Sequence, residues 1–200
     1  LYTSIDSIAH ELNTPLTTIK FTLANTPASE TKPLLERQIQ RLEKIVSSIH
    51  NSSSDSELLS KEDIDNFVAN ITKRFDQIKL ETAIEFRGNH TLLKNDFEQI
   101  LTNLIENSVK YKAKEVKVKL NFGKQILIGI TDNGIGIPEE AQPYIFDKYY
   151  RVSRPENMQI NGLGLGLHIV KQTVEKYSGN ITVESTMENG VTFKITLPNA

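Results

Sequence analysis

Heptad spacing in the first quarter of the chain places the strongest constraint on the fold. Residues 35–49 carry apolar side chains at alternating four- and three-residue intervals, Leu35, Ile39, Leu42, Val46 and Ile49. A similar apolar stripe runs from residue 1 to about residue 25, and the two prolines between the stripes predict a turn over 25–33. Two short helices cannot bury both stripes alone, so we expect two hairpins to pair as a dimeric four-helix bundle.

The hydrophobic pattern changes after the serine-rich segment 50–63, which we interpret as a linker. Apolar spacing predicts helices around 67–78, 97–105 and 164–178, and alternation predicts strands over 82–87, 115–122, 125–131, 180–185 and 190–198. Helices combined with a mixed or antiparallel sheet indicate an α+β fold. The sequence therefore predicts two domains, a helical hairpin over 1–56 and an α+β domain over 57–200.

Composition excludes several classes of function. The chain contains no cysteine, which rules out disulfides and thiolate metal sites. A net charge of −2 over 200 residues argues against binding nucleic acid through bulk charge. No apolar run is long enough to cross a bilayer, so we expect no membrane contact within this sequence. Because the sequence opens on Leu1, we expect further domains upstream.

A histidine lies on the outer face of the first predicted helix. If Ile5 occupies heptad position a, His10 falls at position f, directed away from the apolar stripe. Thr14 follows one turn later on the same face, and Glu11 is adjacent to His10. Pro15 is expected to bend the helix just beyond them. Taken alone, a histidine in this position is more often an ordinary surface residue than a functional one.

Two asparagines lie one turn apart within the stretch NLIENSVKY, on the helix that the apolar residues of 97–105 predict. Neutral amide oxygens, such as those of Asn103 and Asn107, suit Mg²⁺ when phosphates supply the negative charge. We therefore expect both amides to face one pocket, with Lys110 extending the polar face toward phosphate. The alternative is that the asparagines only decorate the helix surface.

Two glycine-rich stretches follow. In DNGIGIP, Asp132 ends a predicted strand and could accept a hydrogen bond from an exocyclic amine, while glycines let the backbone approach a ligand. A simple strand-ending turn is the alternative.

In NGLGLGLHIV, alternate glycines precede a predicted helix, whose first N–H groups could bind an anion. This second stretch fits a phosphate-covering lid better than a dinucleotide fingerprint, because no strand leads directly into it.

These motifs together resemble the catalytic core of bacterial two-component sensor histidine kinases. SIAHELNTPL resembles the H-box of that family and NLIENSVKY its N-box. DNGIGIP resembles the first glycine box, IFDKYYRV the F-box and GLGLGL the second glycine box, in the family order. The resemblance implies a dimerisation and histidine-phosphotransfer hairpin followed by an ATP-binding α/β sandwich of the Bergerat type.

The resemblance also implies roles for individual residues of the hairpin. His10 matches the phosphoacceptor, and Glu11 matches the acidic residue that assists proton removal from the imidazole. Thr14 matches the residue that positions water when such proteins act as phosphatases. Asn13 departs from the family, which usually has Arg or Lys at this position.

For the second domain the resemblance implies an ATP site with Mg²⁺. Asn107 matches the principal Mg²⁺ ligand, and Asn103 matches its helper. Lys110 matches a phosphate contact, and Tyr111 matches a residue that packs against adenine. Asp132 matches the carboxylate that accepts a hydrogen bond from the adenine amino group. The remaining positions of the predicted nucleotide site lie in the glycine boxes, the F-box and the last strand: Gly134, Gly136, Ile137, Phe146, Tyr150, Arg151, Gly162, Leu163, Gly164, Leu165, Gly166, Leu167 and Thr192.

Three of these positions carry specific expectations. Phe146 is expected to anchor the lid, Arg151 to reach the γ-phosphate, and Thr192 to add an indirect adenine contact. Ser108 stands where the family usually has alanine.

The resemblance implies ATP-dependent autophosphorylation of His10 and phosphoryl transfer to an aspartate of a response regulator, with phosphatase activity toward that regulator. The implied partners are a second copy of the hairpin and a receiver domain. The implied location is the cytoplasmic portion of a membrane-anchored sensor. Three alternatives remain open: a chain that acts chiefly as a phosphatase, a nucleotide-binding scaffold that signals by conformation alone, and an ATPase or serine kinase with the same ATP-binding fold.

Overall fold

The computed structural model describes residues 57–87, 90–148, 150–152 and 164–199. All of them belong to one compact unit, Glu57–Ala200. The predicted helical hairpin and its dimer contact lie outside the described residues. The same is true of five predicted site residues: His10, Glu11, Thr14, Gly162 and Leu163.

Three α-helices and five strands build the described unit. The helices are α1 (Lys61–Arg74), α2 (Lys94–Lys110) and α3 (Gly166–Lys176), with a 3₁₀ helix at Glu139–Tyr144. The strands are β1 (Lys79–Phe86), β2 (Glu115–Phe122), β3 (Gln125–Asp132), β4 (Asn180–Ser185) and β5 (Val191–Pro198).

The strands form one mixed sheet in the order β1-β2-β3-β5-β4. β1 and β2 are parallel, while the β2–β3, β3–β5 and β4–β5 pairs are antiparallel. The alternating sequences of β2, β3 and β5 direct apolar side chains to one face of the sheet, where α2 packs over them. The strands predicted over 115–122 and 125–131 are confirmed, and they pair with each other as β2 and β3. The α/β sandwich is also confirmed.

Helix α2 forms the centre of the core because its apolar residues recur at helical spacing. Five of them are at most 1% exposed: Phe97, Ile100, Leu101, Leu104 and Ile105. Burying each such side chain stabilises the fold by about 1.5–3 kcal/mol. This packing fixes the rotation of α2 about its axis, so the neighbouring polar positions of the helix have defined directions.

The linker interpretation of segment 50–63 is wrong for its last residues. Leu59 is 3% exposed, and its N–H donates to the Leu92 carbonyl at 3.0 Å. Ser60 is the N-cap of α1, where its side chain and that of Asp63 form a reciprocal capping box. A polar, serine-containing stretch is typical of both linkers and helix caps, and here the cap explains it.

Candidate functional site

A cavity lies beside the C-terminal ends of α2 and β3. Its empty space, part of which is open solvent, amounts to about 680 Å³. Its lining comes from six segments of the chain: Asn107, Ser108, Tyr111, Asp132, Ile135, Gly136, Ile137, Pro138, Ile145, Tyr150, Arg151, Val152, Leu167, Val191 and Phe193. Most of these side chains are apolar, so the few polar groups define how a ligand could be oriented.

Asp132 is the buried carboxylate of the cavity, with 7% of its surface exposed. Its Oδ1 accepts hydrogen bonds from the backbone N–H groups of Gly134 at 2.8 Å and Val191 at 3.3 Å. Its Oδ2 accepts a hydrogen bond from the Ser108 hydroxyl at 2.7 Å. A carboxylate held by three donors has a fixed orientation, as the reading of a ligand group requires.

Close backbone packing of the first glycine box against its neighbours explains two of its glycines. A Cβ at Gly134 would lie 2.6 Å from the Tyr111 carbonyl oxygen, and one at Gly136 would lie 2.3 Å from that of Thr186. Gly136 also has a φ of +74°, a conformation that L-residues rarely adopt. These contacts bring the loop between β3 and the 3₁₀ helix against both the end of α2 and the β4–β5 turn.

At the end of α2, Tyr111 faces the cavity. Burial raises the pKa of its hydroxyl, and the nearby positive charge of Arg151 opposes that shift. The phenol therefore stays neutral at physiological pH and offers an aromatic surface to a ligand. Arg151 itself lines the cavity and is exposed, so it supplies a positive charge at the opening.

The two predicted asparagine ligands occupy different environments. Asn107 lines the cavity, whereas Asn103 does not line it in the described part of the chain. The Asn103 amide donates to the Gln99 carbonyl at 2.8 Å, and its Oδ1 would lie 3.0 Å from a Cβ placed on Gly166. Asn103 therefore packs against the start of α3, and the expectation that both amides face one pocket is not supported.

Three other predicted residues do not line the cavity among the described residues. Lys110 is the last residue of α2, and the Gly134 N–H donates to Oδ1 of Asp132. The ring of Phe146 packs edge-on against Phe193 at a centroid distance of 6.4 Å, and its carbonyl oxygen lies 3.1 Å from Nδ1 of His168 on α3. This contact joins the F-box to α3.

The second glycine box leads into α3. Gly164 has a φ of +67°, and α3 begins at Gly166 with no side-chain cap among the described residues. The first N–H groups of such a helix can bind an anion. Leu167, in the first turn, lines the cavity.

Thr192 does not line the cavity in the described part of the chain. Its hydroxyl lies 3.1 Å from that of Thr131, on the exposed face of the sheet opposite the cavity. Successive residues of a strand point to opposite faces, so Val191 and Phe193 line the cavity instead. The alternation of apolar residues in GVTFKITLP already carried this signal.

Two residues without a predicted role shape the cavity. Ser108, which departs from the alanine usual in the family, donates to Asp132. Gly190, with a φ of +81°, lets the β4–β5 turn approach the backbone of Asp132. The Asn-Gly pair at 189–190 was the available signal, since it is typical of tight turns between strands.

The described residues offer few ligands for a metal ion. Within the described ranges no three His, Cys, Asp or Glu side chains cluster closely enough to hold a metal. The Asn107 amide supplies one neutral oxygen, which fits an ion that arrives already bound to phosphates. None of the described helices is long and apolar enough to cross a membrane.

Comparison with known proteins gives two family matches. Residues 93–200 match the family described as histidine kinase-, DNA gyrase B- and HSP90-like ATPase. Residues 3–57 match the His Kinase A (phospho-acceptor) domain. Together they cover the region of the predicted hairpin and the site described above.

A similar kinase is found among the curated relatives. The chain is 30% identical over 213 aligned residues to the signal transduction histidine-protein kinase ArlS of Staphylococcus aureus (strain USA300), covering 96% of this chain and 47% of ArlS. This chain thus spans about half the length of that relative.

Among solved structures, the mycobacterial sensor histidine kinase MprB is 26% identical, with a TM-score of 0.55, over 69% of this chain and 93% of that one. The Acinetobacter baumannii histidine kinase AdeS has the same fold, with a TM-score of 0.59, 21% identity and coverage of 95% and 98%. The chain therefore belongs to the protein-histidine kinase family of two-component signalling, with a phospho-acceptor region followed by an ATPase-type domain.

Proposed function

We propose that this chain transfers the γ-phosphoryl group of ATP to His10 and then passes it to an aspartate of a separate receiver protein. One observation carries the proposal. Asp132 and Asn107 line one and the same cavity, in a chain whose residues 3–57 match a phospho-acceptor domain. The boundary between hairpin and ATP-binding domain, at residues 56 and 57, is part of this proposal.

The fixed donors and acceptors of the cavity suggest the direction of the nucleotide. Adenine would lie between the apolar walls near Tyr111, with its exocyclic amine donating to Asp132. The phosphates would then extend toward Asn107 and the start of α3. Arg151 at the opening, with Lys110 at the end of α2, would balance their negative charge.

Mg²⁺ would bind together with the triphosphate. Asn107 would provide a protein oxygen, whereas Asn103 would act indirectly because it packs against Gly166. The ion would neutralise charge on the phosphate oxygens during phosphoryl transfer.

Phosphoryl transfer to His10 needs a neutral imidazole, which is abundant at physiological pH because the ordinary pKa of histidine is about 6.5. The Nε2 lone pair would attack the γ-phosphorus, forming an N–P bond while the bond to the bridging oxygen of ADP breaks. Glu11 would orient the ring and accept the Nδ1 proton. The labile N–P bond would then allow transfer to a receiver aspartate.

Membership of the family supports further proposals about partners. The hairpin would pair with a second copy, and a receiver domain would dock beside His10. In the whole protein, the chain would form the cytoplasmic part of a membrane-anchored sensor. Nucleic acid is not among the proposed partners, since the net charge is only −2.

Phosphatase activity toward the phosphorylated receiver is a second proposal, motivated by Thr14 one helical turn beyond His10 in the sequence. Its hydroxyl would hold a water in line with the phosphoaspartate. Thr14→Ala is expected to keep autophosphorylation and to lose most phosphatase activity. A parallel loss of both activities with a lower melting temperature would instead indicate a purely structural role for Thr14.

The kinase proposal is tested with His10→Gln and Asn107→Asp, each incubated with γ-labelled ATP and Mg²⁺. His10→Gln is expected to bind ATP as the parent does and to incorporate no label. Asn107→Asp is expected to incorporate little label because the new charge alters the phosphate end of the cavity. Stable labelling of His10→Gln would show that another residue is the acceptor, and a signalling scaffold would leave even the parent unlabelled.

A further inference from the structure

Ser108 is a buried side chain for which the proposed chemistry has no role. It follows Asn107 on α2, is 2% exposed and lines the cavity. Its hydroxyl oxygen lies 2.7 Å from Oδ2 of Asp132 and 3.2 Å from the carbonyl oxygen of Leu104. A hydroxyl has one proton to donate, and the shorter contact to a charged oxygen takes it. Ser108 therefore donates to Asp132.

This hydrogen bond determines how many acceptor positions Asp132 presents to the cavity. A carboxylate offers about four lone-pair positions, two on each oxygen. Gly134 and Val191 donate to Oδ1 and Ser108 donates to Oδ2, so the described partners occupy three positions. The fourth position is on Oδ2, beside the Ser108 contact.

We propose that Ser108 is a positioning residue that makes Asp132 selective for a purine with a 6-amino group. The proposal rests on the proposed function, because it requires adenine to lie against Asp132. With Oδ2 held by Ser108, one N–H of the amine fills the last acceptor position. A purine that lacks the amine leaves this buried position unpaired, which weakens binding.

Without the Ser108 hydroxyl, Asp132 would be held through Oδ1 alone. Oδ2 would then have two open positions, and the carboxylate could turn or take up water from the cavity. Its preference for the amine would fall. If Ser108 served only to pair its own hydroxyl with Oδ2 of Asp132, the preference for the amine would not change. Loss of Ser108 would then weaken the binding of all purine nucleotides equally.

The experiment compares ADP with purine riboside 5′-diphosphate, which lacks only the 6-amino group. Equilibrium dissociation constants are measured with Mg²⁺ for the parent, Ser108→Ala and the control Thr173→Val. Thr173 is a buried hydroxyl on α3 that bonds to Gln99 and Ile169 at 2.9 Å and does not line the cavity. The control therefore removes a buried hydroxyl elsewhere in the same domain.

We expect the parent to prefer ADP by roughly tenfold or more, the effect of one hydrogen bond to a charged group. In Ser108→Ala this preference should fall at least about threefold, while Thr173→Val should keep it. An unchanged preference in Ser108→Ala would overturn the role of Ser108 and leave the proposed function intact. If the parent binds both diphosphates equally, the placement of adenine against Asp132 is itself wrong, and this inference is overturned with it.

Discussion

Gly190→Ala is predicted to disrupt the candidate site through the backbone alone. Gly190 has a φ of +81°, and a Cβ there would lie 1.8 Å from the carbonyl oxygen of Asp132 and 2.8 Å from the Cα of Asn133. An ordinary C···O contact is about 3.3 Å, so the β4–β5 turn would have to move by roughly 1.5 Å. Both clashing groups belong to the backbone, and a side-chain rotation cannot relieve them.

The cost can be assembled from the contacts that would change. Left-handed backbone costs an L-residue about 1–2 kcal/mol. Displacing the turn would also break the bond from the Val191 N–H to Asp132, a charged and buried acceptor, at about 1.5–3 kcal/mol. The Ser185 hydroxyl donates to the Gly190 carbonyl at 2.7 Å, and losing this hydrogen bond costs about 1 kcal/mol more. We therefore expect a loss of about 3.5–6 kcal/mol in the free energy of unfolding.

Differential scanning calorimetry of the 200-residue chain measures this loss, expected as a fall of roughly 10–20 °C in the transition of the ATP-binding unit. Gly129→Ala is the matched control, because the nearest atom to its Cβ is 3.8 Å away and its φ is not positive. The control should melt within about 2 °C of the parent. Equal melting temperatures for the two variants would refute the close approach of Gly190 to Asp132.

Three further predictions follow from particular contacts. Asp132→Asn should weaken ADP binding about tenfold in an equilibrium titration, because the amide replaces a charged acceptor; parental affinity would remove Asp132 from the site. Tyr177→Phe should lower stability to urea by about 1–3 kcal/mol, because it removes hydroxyl bonds to Asp96 at 2.5 Å and to the Leu93 N–H at 3.1 Å; an unchanged midpoint would contradict this. Burial lowers the pKa of His90, so below the unfolded pKa of about 6.5 the unfolded chain binds more protons and stability falls as pH decreases. Melting at pH 7.5 and 5.5 should show a smaller loss for His90→Gln than for the parent, and equal losses would exclude His90 as the cause.

Local patterns predicted the secondary structure of the ATP-binding unit well, because each strand and helix carries its own signal. The alternation in 115–122 and 125–131 directs one set of side chains into the core, which also fixes the register of the hairpin between them. The apolar spacing of α2 determined which residues are buried. These features depend on neighbours within a few positions of the sequence.

Contacts between distant segments were harder to predict. The approach of Gly190 to Asp132 joins residues 58 positions apart, and no periodicity in the sequence encodes such a distance. The same holds for the donation from Ser108 to Asp132, which depends on how α2 lies over β3. Asn103 is an example. Helical spacing predicts the face of α2 on which Asn103 lies, but it does not predict that α3 packs against that face.

The position of Thr192 illustrates a different limit of sequence-based prediction. Its role came from resemblance to the family, whereas the alternation of β5 places Val191 and Phe193 on the cavity side. A local physical signal was present and contradicted the transferred role. Where the two disagree within a regular strand, the period of two is the better guide, because a shift of one residue reverses every side chain.

The chemical linkage of the phosphoryl group tests the central claim most directly. The chain is incubated with γ-labelled ATP and Mg²⁺, and the labelled protein is divided between acid and base before the retained label is counted. Phosphorylation of His10 predicts a label that is lost in acid and survives base. A label that survives acid and is lost in base would indicate phosphoserine and would contradict the assignment of His10 as the phosphoacceptor.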